Sequence, residues 1–137
     1  MADLDAFIHE RRETLFAYFE RDCARLAADW VLAKTGTDPL EPLRAAGGPL
    51  EPKRLLTALR YVREKGGFQQ AGEALLGPSM PGALAGRGDV VLARSGGPIG
   101  RVSGYCFGVC TGQHIVAQGT TRLEFLPLTE GVAAWRV

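Results

Sequence analysis

The spacing of apolar side chains divides the chain in two. Over the first half they recur every three or four residues, the period of a helix with one buried stripe. Leu4, Phe7 and Ile8 share such a face behind Asp3, a candidate N-cap, so a helix is predicted over Leu4–Arg12. A second runs over Asp22–Lys34, with Asp22 as cap and Gly36 just past its end. The intervening Thr14–Arg21 carries Phe16, Tyr18 and Phe19 and reads either as continued helix or as a turn. Pro39, Pro42, Gly47, Gly48 and Pro49 predict a loop over 38–49. Glu51-Pro52 opens a further helix with Leu55, Leu56, Leu59 and Val62 as its buried stripe, stopped by Gly66-Gly67. Phe68–Leu76 is a short last helix, followed by a Pro/Gly-rich crossing over 79–86.

From Asp89 the period falls to two. Asp89–Ala93 reads as a strand, Gly96-Gly97-Pro98 as a turn, and Val102–Cys110 as a second strand. Tyr105, Phe107 and Val109 share one face of that strand, and Cys106, Gly108 and Cys110 the other. Thr111-Gly112-Gln113 is a hairpin loop, and His114–Gln118, Leu123–Pro127 and Ala133–Val137 are three more short strands. Helices first and a meandering sheet second predict an α+β fold, with N-terminal helices packed on a small antiparallel sheet. The expected organisation is one domain, 1–137, with a helical part over 1–77 and a sheet part over 87–137.

Composition narrows the function classes. With 46% apolar residues in 137, the chain can bury a substantial core. Sixteen basic residues against fifteen acidic argue against a general nucleic-acid binder, which carries a basic excess. Three cysteines suggest no disulfide framework. The N-terminus lacks a basic region before an apolar core, and no apolar run approaches a bilayer's width, so neither a signal peptide nor a membrane span is expected. Synthesis in a bacterial cytoplasm is the default expectation.

Cys23 is the residue most open to chemistry. In a first helical turn capped by Asp22, the helix dipole favours the thiolate, the nucleophilic form. The Asp22 charge works against it. If instead the N-terminal third were one helix, Leu4, Ile8, Leu15, Phe19, Cys23, Leu26 and Trp30 would share a face and Cys23 would be a small buried hydrophobe. A cysteine hydrolase also needs a base in hydrogen-bond reach. His9 reads as a solvated residue of the first helix. His114 reads as an exposed turn residue, and of the two only it could reach across a sheet to a helix N-terminus.

Other motifs carry less. Cys106, Cys110 and His114 are evenly spaced, but strand residues four apart are separated by about 13 Å, too far to share a zinc ion through bonds of about 2.3 Å. No metal or cofactor is therefore expected. Arg87-Gly88-Asp89 matches an adhesion tripeptide by letters only, and Asp89 reads as the opening of a strand. The glycines at 96, 97 and 100 lack the strand–turn–helix context of a phosphate loop. Ser79, Ser95 and Ser103 sit in no nucleophile-elbow pattern.

Five segments together carry a resemblance. They are Arg-Asp-Cys23-Ala-Arg-Leu-Ala-Ala-Asp-Trp30, Arg87-Gly-Asp-Val-Val-Leu92, Phe107-Gly-Val-Cys-Thr-Gly112, Leu123-Glu-Phe-Leu-Pro-Leu128 and Ala134-Trp-Arg-Val137. In these the chain resembles a small family of phage and prophage proteins found among tail genes. That family in turn resembles the NlpC-type cysteine peptidases, papain-like enzymes that cut peptidoglycan stem peptides. The resemblance implies a papain-like fold with Cys23 at the nucleophile position. The base histidine of the pattern His-x-Gly-x-x-x-Gly falls on Cys106 of Cys106-Phe-Gly-Val-Cys-Thr-Gly112, so it is absent. The third polar position falls on Ala117 or Gln118. A thiol cannot serve as general base and then as acid to a leaving amine.

Three functions follow as expectations. The first is a non-catalytic NlpC-like domain in phage or prophage tail assembly or the tail tip, with other tail proteins as partners and the virion tail as a destination. The second is an active cysteine peptidase or amidase on cell-wall peptides, with Cys23 as nucleophile and His114 as recruited base. The third is a peptide or small-molecule binder that reuses the cleft around Cys23, Trp30 and Tyr105.

Overall fold

In the computed structural model, which describes residues 2–95 and 104–137, five α-helices precede the whole of the sheet. The helices are α1 (Leu4–Arg11), α2 (Cys23–Thr35), α3 (Glu41–Arg44), α4 (Leu55–Lys65) and α5 (Phe68–Leu76). The strands are β1 (Met80–Pro81), β2 (Val90–Arg94), β3 (Tyr105–Cys110), β4 (His114–Gln118), β5 (Leu123–Pro127) and β6 (Gly131–Trp135). Among the described residues they form one antiparallel sheet in the order β1-β6-β2-β3-β4-β5. The fold is thus α+β, as the change of period predicts.

Side-chain chemistry sets the helix ends. Asp3 caps α1, its carboxylate accepting from the N–H groups of Asp5 and Ala6, and Gly36 closes α2 in the left-handed conformation at φ 83°. Between α1 and α2 the chain leaves the helix, turns and crosses the sheet: Phe16 N–H bonds Thr120 C=O, and Leu123 N–H bonds Arg12 C=O. The alternative of one continuous N-terminal helix is therefore excluded, and Cys23 is the first residue of α2.

The strand alternation directs residues to two layers. Val90, Leu92, Phe107, Val109, Val116, Ala133 and Trp135 face the helices. There α1 and α2 supply Leu4, Phe7, Ile8, Leu26, Trp30 and Val31, with the Phe7 and Trp30 rings edge to face at 5.3 Å. The opposite face carries Val91, Ala93, Cys106, Cys110, Ile115, Ala117 and Ala134, mostly small, with Cys23, Met80, Ala85, Leu126 and Leu128 packed against them. Because both faces are covered, β2 and β4 read as apolar runs with little polar alternation. Two indole N–H groups fasten the layers: Trp30 to Gly88 C=O at 2.8 Å and Trp135 to Gly77 C=O at 3.0 Å.

Five sequence expectations are corrected. The helix that Glu51-Pro52 was expected to open starts only at Leu55, so the proline lies ahead of it and not in its first turn. The short α3 lies inside the predicted loop over 38–49, with a proline in its first turn where its missing N–H does no harm. Met80–Pro81 forms an edge strand within the predicted crossing, pairing with Ala133 and Ala134. The last strand starts at Gly131 rather than Ala133. Most consequentially, the stripe of α4 is not buried: none of its residues is, and Leu56 is 75% exposed. The helix packs on α5 and leaves part of its apolar face open. The turn at Gly96-Gly97-Pro98 and the predicted strand start at Val102 lie outside the described residues.

At Gly72, on α5, a Cβ would come within 2.7 Å of the Trp135 ring, which is itself 1% exposed. Gly72→Ala is expected to destabilise the fold by about 1–3 kcal/mol, the usual cost of overpacking. The check is a lower urea midpoint with an unchanged slope.

Candidate functional site

The approach to Cys23 is a tight reversal. Ala17 and Arg21 form an isolated bridge, and between them Phe19 adopts φ 70°, unusual for a bulky side chain. Asp22 holds this turn from both sides. One carboxylate oxygen accepts from Arg25 N–H at 2.8 Å, capping α2, and the other accepts from Phe19 N–H at 2.8 Å. Arg44, delivered by α3, donates from Nη1 to Phe19 C=O at 2.8 Å and places Nη2 3.9 Å from Asp22. Burial lowers the Arg44 pKa, while the Asp22 carboxylate opposes that shift. Its Nε is buried without a hydrogen-bond partner. Arg25 in turn pairs with Asp29 and Asp38, both at 2.8 Å.

This machinery puts the thiol at the helix mouth but desolvates it. Cys23 as a residue is half-buried, yet its side chain packs against the cluster that holds Cys106 and Cys110. Its pKa is pushed up to about 12, chiefly by burial, then by the neighbouring Cys106 and by Asp22. Backbone hydrogen bonds at Phe107 and Ala24 act against the rise. Burial also pushes Cys106 up to about 11. The dipole advantage expected at a helix start is therefore outweighed, and near neutral pH the thiol is protonated.

The structure brings Cys23 to Cys106 and does not bring it to His114. In the β3–β4 hairpin, Cys110 pairs with Ile115 and Gly108 with Ala117, so His114 lies beyond the Cys110 end, next to the turn. Five residues of strand separate its level from that of Cys106, on the order of 16 Å at about 3.3 Å each. His114 is exposed, with its ring edge to face against Phe125. His9 is exposed on α1. Gln118 is buried, and its amide donates to Thr14 C=O at 2.7 Å and Gly119 C=O at 2.9 Å, which fastens the N-terminal crossing. Arg87-Gly88-Asp89 is structural: Asp89 is buried and accepts from Gly86 N–H at 2.8 Å, while Arg87 binds Thr111 C=O and Asp5.

Beside the thiol lies a cavity of about 200 Å³. Cys23, Asp22 and Arg44 form one side, and Phe16, Tyr18 and Phe19 of the reversal another. Leu55, Ala58, Leu59, Tyr61 and Val62 of α4 face them, and Phe68, Tyr105 and Phe107 also line it. Of the cleft predicted around Cys23, Trp30 and Tyr105, Cys23 and Tyr105 line this cavity, whereas Trp30 is fixed in the core against Phe7. Sequence reasoning missed Arg44 and Tyr61. A single arginine in a Pro/Gly-rich segment gives no signal, and Tyr61 was hidden in an ordinary helical pattern.

Fold and site define an α+β domain with a desolvated thiol at a helix mouth, opening on an apolar cavity. Residues 1–137 match the family described as a domain of unknown function (DUF6950), and the chain belongs to that family. No curated protein and no solved structure matches it. No helix among the described residues is long and apolar enough to cross a membrane.

Two outcomes follow from the Cys23 environment. Alkylation by iodoacetamide at pH 7.5 should run about a thousandfold below that of free cysteine, given the smaller thiolate fraction. The rate should keep rising toward pH 12. Because the folded-state pKa is raised, Cys23 supports stability fully below the unfolded value near 9.0, and that contribution is lost as pH climbs toward 12. Urea melts of wild type and Cys23→Ala between pH 8 and 11 should converge as this difference disappears.

Proposed function

We propose that this domain is a non-catalytic, NlpC-like, papain-like scaffold that binds rather than cuts, acting in phage or prophage tail assembly or at the tail tip. The observation that carries the reading is the identity of the group beside the nucleophile position. The resemblance requires an imidazole there, and Cys106 occupies the place. Peptide-bond cleavage by a thiol needs a base that accepts its proton and later returns it to the leaving amine. Two protonated thiols with raised pKa values do neither. The tail setting rests on the resemblance of the five segments, and the binding role on the cavity at the thiol. A peptide or small-molecule binder reusing the cleft is a second reading, and the apolar cavity favours it.

Tagged wild-type protein should co-purify with virion proteins from an induced lysogen, and Cys23→Ala should co-purify equally. Release of stem-peptide fragments from purified peptidoglycan by wild type but not by Cys23→Ala would overturn the proposal in favour of an active peptidase. Co-purification without any virion protein would remove the tail assignment.

A further inference from the structure

The α4 helix has two faces, and the fold completes neither. Its inner face, Leu55, Ala58, Leu59 and Val62, lines the cavity instead of filling it. Its outer face and leading turn carry Lys53, Arg54, Arg60, Arg63 and Lys65, all exposed, and among the described residues none forms an ion pair. Residues 51–65 hold these five cations against only Glu51 and Glu64, while the rest of the chain holds thirteen acids to eleven bases. Basic charge is therefore concentrated on the helix whose inner side walls an apolar cavity, in a protein otherwise slightly acidic.

We infer that the α4 face and its cavity form a docking site for an acidic segment of a partner polypeptide, which inserts one large apolar side chain between α4 and the Phe19 reversal. Both halves of the ligand are read from the site. An apolar cavity of about 150 Å³ is enough for a benzene ring, so the 200 Å³ here suits one aromatic or long aliphatic side chain and not an extended lipid tail. The unpaired cations supply long-range attraction to flanking carboxylates and suppress basic partners. The inference rests on the binding reading above and gives that reading its partner chemistry.

The test uses the 14.7 kDa full chain, isotopically labelled, in NMR titrations at low salt. The probe is a blocked pentapeptide of four glutamates around a central phenylalanine. Saturable shifts are expected at α4, Cys23 and Phe107. Replacing the phenylalanine by alanine should weaken binding at least tenfold, since burying such a side chain is worth about 1.5–3 kcal/mol. Replacing the glutamates by lysines should abolish it, and added salt should weaken it. In the protein, the double charge reversal Arg60→Glu and Arg63→Glu, at exposed positions that leave the fold intact, should weaken binding at least about fivefold. Ala58→Phe should block the cavity, and a melting temperature close to wild type confirms that this variant folds. Absence of shifts at about 1 mM peptide would overturn the inference. So would equal binding of the lysine peptide, or saturation of the cavity by sodium dodecanoate with no response to the peptide. If the peptide fails while Cys23→Ala still co-purifies with virion proteins, only the partner chemistry falls. If Cys23-dependent cleavage appears, the binding reading falls first.

Discussion

One carboxylate holds the site together. Asp22 satisfies the first turn of α2 with one oxygen and pins the Phe19 turn with the other, and it faces the Arg44 guanidinium brought in by α3. Remove those bonds and three features lose their common anchor: the helix start, the left-handed turn, and the arginine that bridges to the Phe19 carbonyl. Charge-assisted hydrogen bonds of this kind are about twice as strong as neutral ones. The same charge raises the neighbouring thiol's pKa, so the group that positions Cys23 also helps silence it. A site selected for thiolate chemistry would place a cation or imidazole at that distance.

The cavity follows from a mismatch between layers. The sheet face toward the helices bears Phe107 and Trp135, and the Phe107 ring meets Trp135 at 6.1 Å and Phe68 of α5 edge to face at 6.3 Å. Close approach is possible there because Gly72 has no side chain. α4 then rests chiefly on α5 rather than on the sheet. Its leucines face the aromatic reversal across a gap, which costs dispersion contacts that a packed helix would gain. The opposite sheet face shows the contrast: small residues there allow a thin cover to seal it.

Much of the fold was legible because local chemistry and tertiary packing agree. Asp3 and Asp22 as caps, Gly36 as terminator, and the change of period near Asp89 each have a local physical cause, and each element forms. Leu55, Leu56, Leu59 and Val62 were legible as a helix but not as an exposed one. Amphipathic spacing records that a face is apolar, not what covers it. At the site, the sequence left open whether Cys23 starts a helix or lies within one, and left His114 open as its base. Only strand register could decide that pairing, because the hairpin sends His114 to one end and Cys106 to the other. Arg44 and the positive φ of Phe19 were illegible, since both arise from contacts between distant segments.

The crossing between α1 and α2 has a kinetic corollary. Phe16 is bonded to Thr120, Gln118 to Thr14, and Leu123 to Arg12, so one wall of the cavity is knitted from residues about a hundred positions apart. Contacts of such sequence separation are slow to form, because their loop-closure entropy must be met before any contact rewards it. During synthesis the α2 helix can exist well before β4 and β5 emerge, but the hollow at its mouth cannot. That wall of the hollow therefore forms only after β4 and β5 have been made.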